Sequence, residues 1–260
     1  MAVQLTILGS GSAGNCAYVE TDEVRLLVDA GFGPRQLRQR LAAIGRTPEN
    51  LDAILISHEH TDHIRGLVGL ADKLHIPVYC NRDTCDEIRR LLDLRAEFEL
   101  FETGHAFEIG DVTVETFPVP HDALDPVGFL LRTPAGNIGF VTDLGHVTRL
   151  VGERTRHAQV LVLESNHDLK MLWDCPTRPA SLKQRIASRH GHLSNDACAD
   201  AVEAIMNGGL RRLYLAHLSR DCNRPELAQR VVSDRLTRIG ATHVHLELTW
   251  QDRLSPTLTL

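Results

Sequence analysis

The six residues His58-Glu59-His60-Thr61-Asp62-His63 constrain this chain more than any other stretch. They read H-x-H-x-D-H and follow the apolar run LDAILIS. Imidazole is the commonest metal ligand, and imidazole with carboxylate suits zinc, manganese or iron. Alternate residues of an extended segment share one face, so His58 and His60 can reach one ion. If the chain turns into a helix near Ile64, Asp62 and His63 point elsewhere and can hold a second ion. A single ion rarely needs all four groups, so the spacing points to two metals. The bland alternative is a solvated helix start with Asp62 as its cap. Against it, His121, Asp143 and His217 each follow a strand-like run of their own.

Those runs define the organisation. QLTILG reads as a strand, and NCAYVET with VRLLVDAG as a hairpin. PRQLRQRLAAIG has helical spacing, with Pro34 suited to the first turn and Gly45 to the end. LDAILISH is a strand, IRGLVGLADKLH a helix, IPVYC a strand and RDTCDEIRRLLDL a helix. DVTVETFPVPH is a strand ending on His121, and VGFLLRTPAGNIGFVTD a hairpin ending on Asp143. AQVLVLESNHD runs into Glu164, Asn166, His167 and Asp168. SNDACADAVEAIMNGG is a helix capped by Ser194 or Asn195, and LRRLYLAHLS a strand ending on His217. A helix near 224–239 and the strand HVHLEL close the chain. Strands mixed with helices throughout indicate an α/β protein, read here as one domain over residues 1–260.

Composition excludes some classes. The formal charge of −6 argues against a generally basic nucleic-acid coat, although not against a local basic patch. The start lacks a basic segment followed by a long apolar one, and no run is long enough to span a membrane. None of the six cysteines forms a C-x-x-C pair. These features read as a reduced cytoplasmic protein with structural thiols.

The histidine motif, the upstream LLVDAG and the later lone His, Asp and His resemble the metallo-β-lactamase superfamily, over essentially the whole chain. LGSGSAGNCAYVE, ISHEHTDHIRGL, VPHDA, VTDLG, LESNHD, GHLSN and LAHLS are similar to its YycJ/WalJ group of metal-dependent nucleases. The resemblance implies an αββα sandwich of two mixed sheets flanked by helices, with two divalent ions, zinc or manganese (iron also fits), at one edge. It implies that His58, His60 and His121 bind one ion. It gives the other to Asp62, His63 and His217, with Asp143 bridging, and makes Asp29 an orienting residue that otherwise simply ends a strand. It implies a 5′ to 3′ DNA exonuclease using a metal-activated hydroxide, with nucleic acid as partner and no membrane. Two ions about 3.5–4 Å apart can share and acidify a water while clamping a phosphodiester. Asp62 belongs to that catalytic centre, and His192 in GHLSN is the candidate proton donor to the leaving oxygen; otherwise it helps cap the next helix. After LAHLS the expected Asn-rich pair is replaced by RDCNRPE, which retains Asn223.

Other segments leave alternatives open. His167 could contact phosphate, hold a carboxylate, or be a turn histidine. GSGSAG matches G-x-G-x-x-G, but a strand-like segment follows where a dinucleotide fold needs a helix, so it reads as a tight turn whose amides could meet phosphate. From Lys170 to His192, Lys170, Arg178, Lys183, Arg185 and Arg189 face only Asp174. That run is a substrate track or a solvated helix face. Trp173 reads as a packing residue rather than a base-stacking one. The rival functions are another hydrolase on the same scaffold (an RNA or cyclic-nucleotide phosphodiesterase, a thioesterase, a lactamase) and a non-catalytic, metal-stabilised interaction protein.

Overall fold

The computed structural model describes residues 2–206 and 209–260. The expected helix from Ser194 to Gly209 therefore includes positions 207 and 208, which lie outside the described residues. Two seven-stranded sheets carry the fold. The first contains β1 (Gln4–Gly9), β2 (Cys16–Glu20), β3 (Arg25–Val28), β4 (Ala53–Leu55), β5 (Val78–Cys80) and β6 (Phe98–Leu100), side by side in that order. Helices α1 (Pro34–Ala43), α2 (Thr61–Ile64), α3 (Leu67–Leu74) and α4 (Arg82–Leu91) lie between these strands in sequence. The second sheet runs β7 (Ala106–Ile109), β8 (Val112–Pro118), β9 (Val127–Thr133), β10 (Gly136–Val141), β11 (Val160–Glu164), β12 (Arg212–Ala216), β13 (His245–Leu248). Its helices are α5 (Arg149–Thr155), α6 (Leu169–Asp174), α7 (Ala180–Ile186), α8 (Asn195–Ile205) and α9 (Pro225–Arg238). The short β14 (Leu258–Thr259) returns to the first sheet beside β1.

Both sheets are mixed. Pairing is antiparallel from β14 to β3 and parallel from β3 to β6. It is antiparallel from β7 to β10 and parallel from β10 to β13. The period-2 alternation of side chains explains the layers. Leu26 and Val28 of β3, with Val160 and Val162 of β11, join the core between the sheets. Leu27, between the first two, faces Leu37, Leu41, Leu67 and Ile88 of the outer helices. Leu161 and Leu163 face Val202, Ile205, Val232 and Leu236 on the other side. Strands buried on both faces need apolar residues at nearly every position, which is why RLLV and VLVLE show little alternation. The result is the expected helix–sheet–sheet–helix sandwich.

Three local expectations need correction. The helix read over Ile64–His75 is broken, with α2 ending at Ile64 and α3 starting at Leu67. At the break Gly66 donates its amide to the Ala30 carbonyl, and a Cβ there would meet that oxygen at 2.8 Å. The strand LDAILISH pairs only over Ala53–Leu55, which frees Ser57 and His58 to leave the sheet. Finally β6, β7, β14, α5, α6 and α7 were not foreseen. None exceeds seven residues, a length at which tertiary packing outweighs local propensity. The glycine-rich turn leads into β2, a strand, as the rejection of a dinucleotide fold requires.

Candidate metal centre

The site is built at strand ends. Asp29 follows β3, Ser57 and His58 follow β4, His121 follows β8, and Asp143 follows β10. Glu164 closes β11, and His217 follows β12. Carboxyl ends of strands in α/β sheets leave such a crevice. Asp29, Asp143 and His217 all adopt left-handed backbone, with φ of 60°, 58° and 54°. That conformation costs of order 1–3 kcal/mol per residue and is held only where the surroundings demand it. Here it turns the chain out of the strand while keeping the side chain at the crevice.

Four imidazoles are each gripped on one nitrogen. His63 Nδ1 lies 2.8 Å from Asp29 Oδ2, and Ser57 ties the arrangement by donating its amide to Asp29 Oδ1 at 2.9 Å. His121 Nδ1 donates to the Gly191 carbonyl at 3.0 Å. His58 Nδ1 is 3.0 Å from Ser57 Oγ. His217 Nδ1 lies 2.9 Å from Asp143 Oδ1 and 3.0 Å from Glu164 Oε1. A carboxylate or carbonyl only accepts, so those nitrogens carry the proton and the opposite ring nitrogens of His63, His121 and His217 are bare.

The bare nitrogens collect in two places. His58 Nε2 and His121 Nε2 lie 3.1 and 3.3 Å from His60 Nδ1. Asp62 Oδ2 is 3.6 Å from His63 Nε2 and 3.7 Å from His217 Nε2, and His63 Nε2 is 3.2 Å from Asp143 Oδ2. Metal–ligand bonds of about 2.0–2.1 Å in a tetrahedral shell space the donors about 3.3–3.4 Å apart. The first set and the His63–Asp143 contact fit that spacing, and the Asp62 contacts are a little longer; among the described residues the donor groups that close within 4.8 Å are His58–His60–His121, His58–His63–Asp143 and Asp143–Glu164–His192–His217, so Asp62 joins none of them. Asp143 stands between the two places, with Oδ1 3.9 Å from His121 Nε2. Its Oδ2 and His217 Nε2 are buried without a hydrogen-bond partner, a state expected of atoms meant for a cation.

The electrostatics agree. Burial opposes charge on His63, yet Asp29, Asp143 and Asp62 drive its pKa well up. Burial likewise opposes charge on His217, and Asp143 and Glu164 drive it well up. Burial would raise the Asp143 carboxyl, but His217 and His63 hold it well below the usual range. Burial, helped by the neighbouring His63, His121 and His60 and opposed by Asp143, pushes the His58 imidazole well down. Several carboxylates in a small crevice call for positive charge, and a divalent cation meets that demand without protonating the histidines.

The second cluster is larger than the sequence indicated. His192 Nδ1 sits 2.8 Å from Glu164 Oε1 and 3.6 Å from Asp143 Oδ1. Glu164 Oε2 accepts the amides of Leu144 and Leu193, each at 3.0 Å. Burial would raise this carboxyl, but His192 and His217 hold it at about 2. The N-cap of α8 is Ser194, not His192, since Ser194 accepts the Ala197 amide. His60, Asp62, His121, Asp143, His192 and His217 line one cleft of roughly 320 Å³.

The remaining expectations come out unevenly. Asn166 donates to the His217 carbonyl at 2.8 Å and so braces that residue. His167 is buried with neither ring nitrogen hydrogen-bonded, so it holds no carboxylate. In the glycine-rich turn the amides of Ser10, Gly11, Ala13, Gly14 and Asn15 already have internal acceptors, leaving them unavailable to phosphate. The turn instead supplies Asn15, which sequence reasoning missed: its Nδ2 lies 3.1 Å from His63 Nε2 and 3.3 Å from Asp62 Oδ2. Ser57 was missed too, although it directly precedes His58. Asn223 bonds the carbonyls of Ser165 and Asn166, a bracing role. The basic run is mostly paired: Lys170 with Asp174, Arg178 with Asp221, Arg185 with Asp122. A continuous free cationic track is therefore absent there, and Trp173 is half exposed rather than packed.

Fold and site together define a metallo-β-lactamase-type scaffold, and residues 24–218 match the beta-lactamase superfamily domain, so the chain belongs to that superfamily. Within it the chain belongs with the YycJ/WalJ proteins. It is 36% identical over 242 residues to the exodeoxyribonuclease YycJ of Bacillus anthracis, covering 92% of this chain and 91% of the relative. It is 37% identical over 241 residues to the exodeoxyribonuclease WalJ of Streptococcus pneumoniae, covering 90% and 88%. In fold it is similar to the metallo-beta-lactamase fold protein YhfI of Bacillus subtilis, with TM-score 0.72, 16% identity and full coverage of both chains. Among the described residues no helix is long and apolar enough to cross a membrane.

Proposed function

We propose that this protein is a cytoplasmic, metal-dependent 5′ to 3′ DNA exonuclease that works with two divalent ions, zinc or manganese. The observation that supports the reading is the convergence of two donor groups on Asp143 beside a third made by His58, His60 and His121, with Asp143 Oδ2 and His217 Nε2 buried and unpartnered. The YycJ and WalJ relatives, named as exodeoxyribonucleases, supply the substrate class. His58, His60 and His121 would hold one ion and Asp62, His63 and His217 the other, with Asp143 available to both. When bound, the ions supply a nucleophile from water at neutral pH and positive charge against the phosphate.

The chain's own residues do the rest. Asp29 and Ser57 lock the tautomer and plane of His63, and Glu164 does so for His217. Glu164 also holds His192 by Nδ1, leaving Nε2 to give a proton to the leaving oxygen. Two backbone amides keep the Glu164 carboxylate fixed through that transfer.

The test is incubation of metal-stripped protein with end-labelled single- and double-stranded DNA and RNA, adding Mn²⁺ or Zn²⁺ singly, beside Asp62→Ala. The expected result is stepwise loss of nucleotides from DNA 5′ ends, absent in the variant. Cleavage of RNA alone, or of neither polymer, would replace the reading with another hydrolase on this scaffold.

A further inference from the structure

All six cysteines are free, and two pairs of thiols hydrogen-bond each other: Cys175 with Cys222 and Cys80 with Cys85. Cys175 directly follows α6, and Cys222 lies in the loop after β12. Both belong to a small apolar cluster with Leu172 and Ile186, apart from the three main cores. Other contacts already tie their two loops together. The Cys222 carbonyl accepts the Asp168 amide at 2.9 Å, at the start of α6, and Arg178 reaches Asp221 at 3.0 Å. The fold therefore holds the two sulfurs side by side with no covalent bond between them.

The two pairs differ in reach and in chemistry. Cys175 is 7% exposed and is flanked by the exposed Asp174 and Pro176, so a small reagent can approach it. Its sulfur lies 3.3 Å from Thr177 Oγ1, and hydrogen bonds from Thr177, helped by the Cys222 thiol, hold its pKa below the ordinary value. The thiolate is the reacting form of cysteine. Cys80 and Cys85 are fully buried in the core under the first helical layer, and burial pushes both thiols up.

We infer that Cys175 and Cys222 are a redox pair that a low-molecular-weight disulfide converts to an intramolecular disulfide, while the other four thiols stay reduced. The Cys175 thiolate attacks one sulfur of the small disulfide, whose S–S bond breaks and releases one small thiol. The Cys222 thiol then gives up its proton and attacks the Cys175 sulfur of the mixed disulfide, and the second small thiol leaves. Two protein thiols are oxidised, one small disulfide is reduced, and the two protons end on the released thiols. The new bond fastens the α6–α7 connection, which carries Arg178, to the loop that carries Ser219, and both residues line the small cavity beside the metal cleft. In a reducing compartment such a bond is transient, as in a sensor. Neither step uses the metals, so the inference stands or falls apart from the exonuclease reading.

The experiment incubates the folded full-length protein in glutathione buffers, from wholly reduced to wholly oxidised. Each sample is then unfolded in iodoacetamide, and the cysteine peptides are mapped by mass spectrometry. The expected result is a Cys175–Cys222 linked peptide at least tenfold more abundant at the oxidised end, reversed by dithiothreitol. Cys16, Cys80, Cys85 and Cys198 should be recovered as free thiols throughout. Cys222→Ser should stop at glutathione on Cys175, and Cys175→Ser should leave Cys222 largely unmodified. No linked peptide in folded wild type, or one that forms only in urea, would overturn the pair even if the variants failed to fold. Equal linkage of Cys80 to Cys85 would overturn its selectivity.

Discussion

At the scale of single residues, His58, His63, His121 and His217 each have one ring nitrogen held by a partner outside the proposed ligand set. Asp143→Asn keeps a residue that tolerates left-handed backbone but removes the shared negative charge. Metal content by elemental analysis and DNA cleavage should both fall more than about 100-fold, since even losing an outer partner costs about 10–100-fold in metal affinity or activity. Asp29→Asn should fall within that smaller range in zinc affinity; unchanged affinity would mean that Asp29 merely ends β3. His167 gives a pH prediction. Burial holds its pKa at about 4, with Glu164 partly opposing. Its folded pKa therefore lies below the unfolded value of about 6.5, so the unfolded state binds the proton first. Stability is whole above pH 6.5 and is lost as pH falls toward 4, by up to about 3 kcal/mol. Because neither ring nitrogen has a partner, His167→Leu should flatten that slope in urea denaturation of metal-free protein without orphaning a neighbour. An identical slope in the variant would remove His167 as the cause.

At the scale of elements, the site depends on backbone segments that touch. A Cβ on Gly31 would lie 1.6 Å from the Asp62 carbonyl, which also accepts the Asn15 amide at 2.8 Å. The loop after β3, the glycine-rich turn and the start of α2 therefore meet at Asp62. Gly31→Ala must push α2 away, at a cost near the top of the usual 1–3 kcal/mol for overpacking. It should lower the urea midpoint and metal affinity together. A loss of stability with full metal affinity would show that Asp62 is placed by something else. The longer strands and the long helices were legible because their apolar spacing is a local property. The short α6 and α7 were not, although α7 and the Arg178 loop before it wall a smaller cavity beside the metal cleft.

At the scale of the whole molecule, three apolar clusters hold the sandwich without the metal ligands: one between the sheets and one under each helical layer. Chelation should abolish DNA cleavage and lower the melting temperature, because bound metal stabilises the folded state by mass action. Far-ultraviolet circular dichroism should stay as it was. A chain that unfolds on chelation would place the metals among the determinants of the fold. With a net charge of −6 and Lys170, Arg178 and Arg185 ion-paired, the 170–192 segment presents no broad basic face.

Donor types, their spacing in H-x-H-x-D-H, and the habit of ending strands on His, Asp or Glu are local information, and the linear chain carries them in full. From these follow the α/β class and the candidate donors His58 to His217. Which atoms face each other is a different matter. Glu164 meets His192 and His217 across 28 and 53 residues, and Asn15 reaches His63 across 48. Those separations are closed by sheet order and loop course, which no periodicity encodes. The same holds for charge: Arg185 and Arg178 look free in the sequence, and only the folded chain brings Asp122 and Asp221 to them while leaving one guanidinium N–H bare.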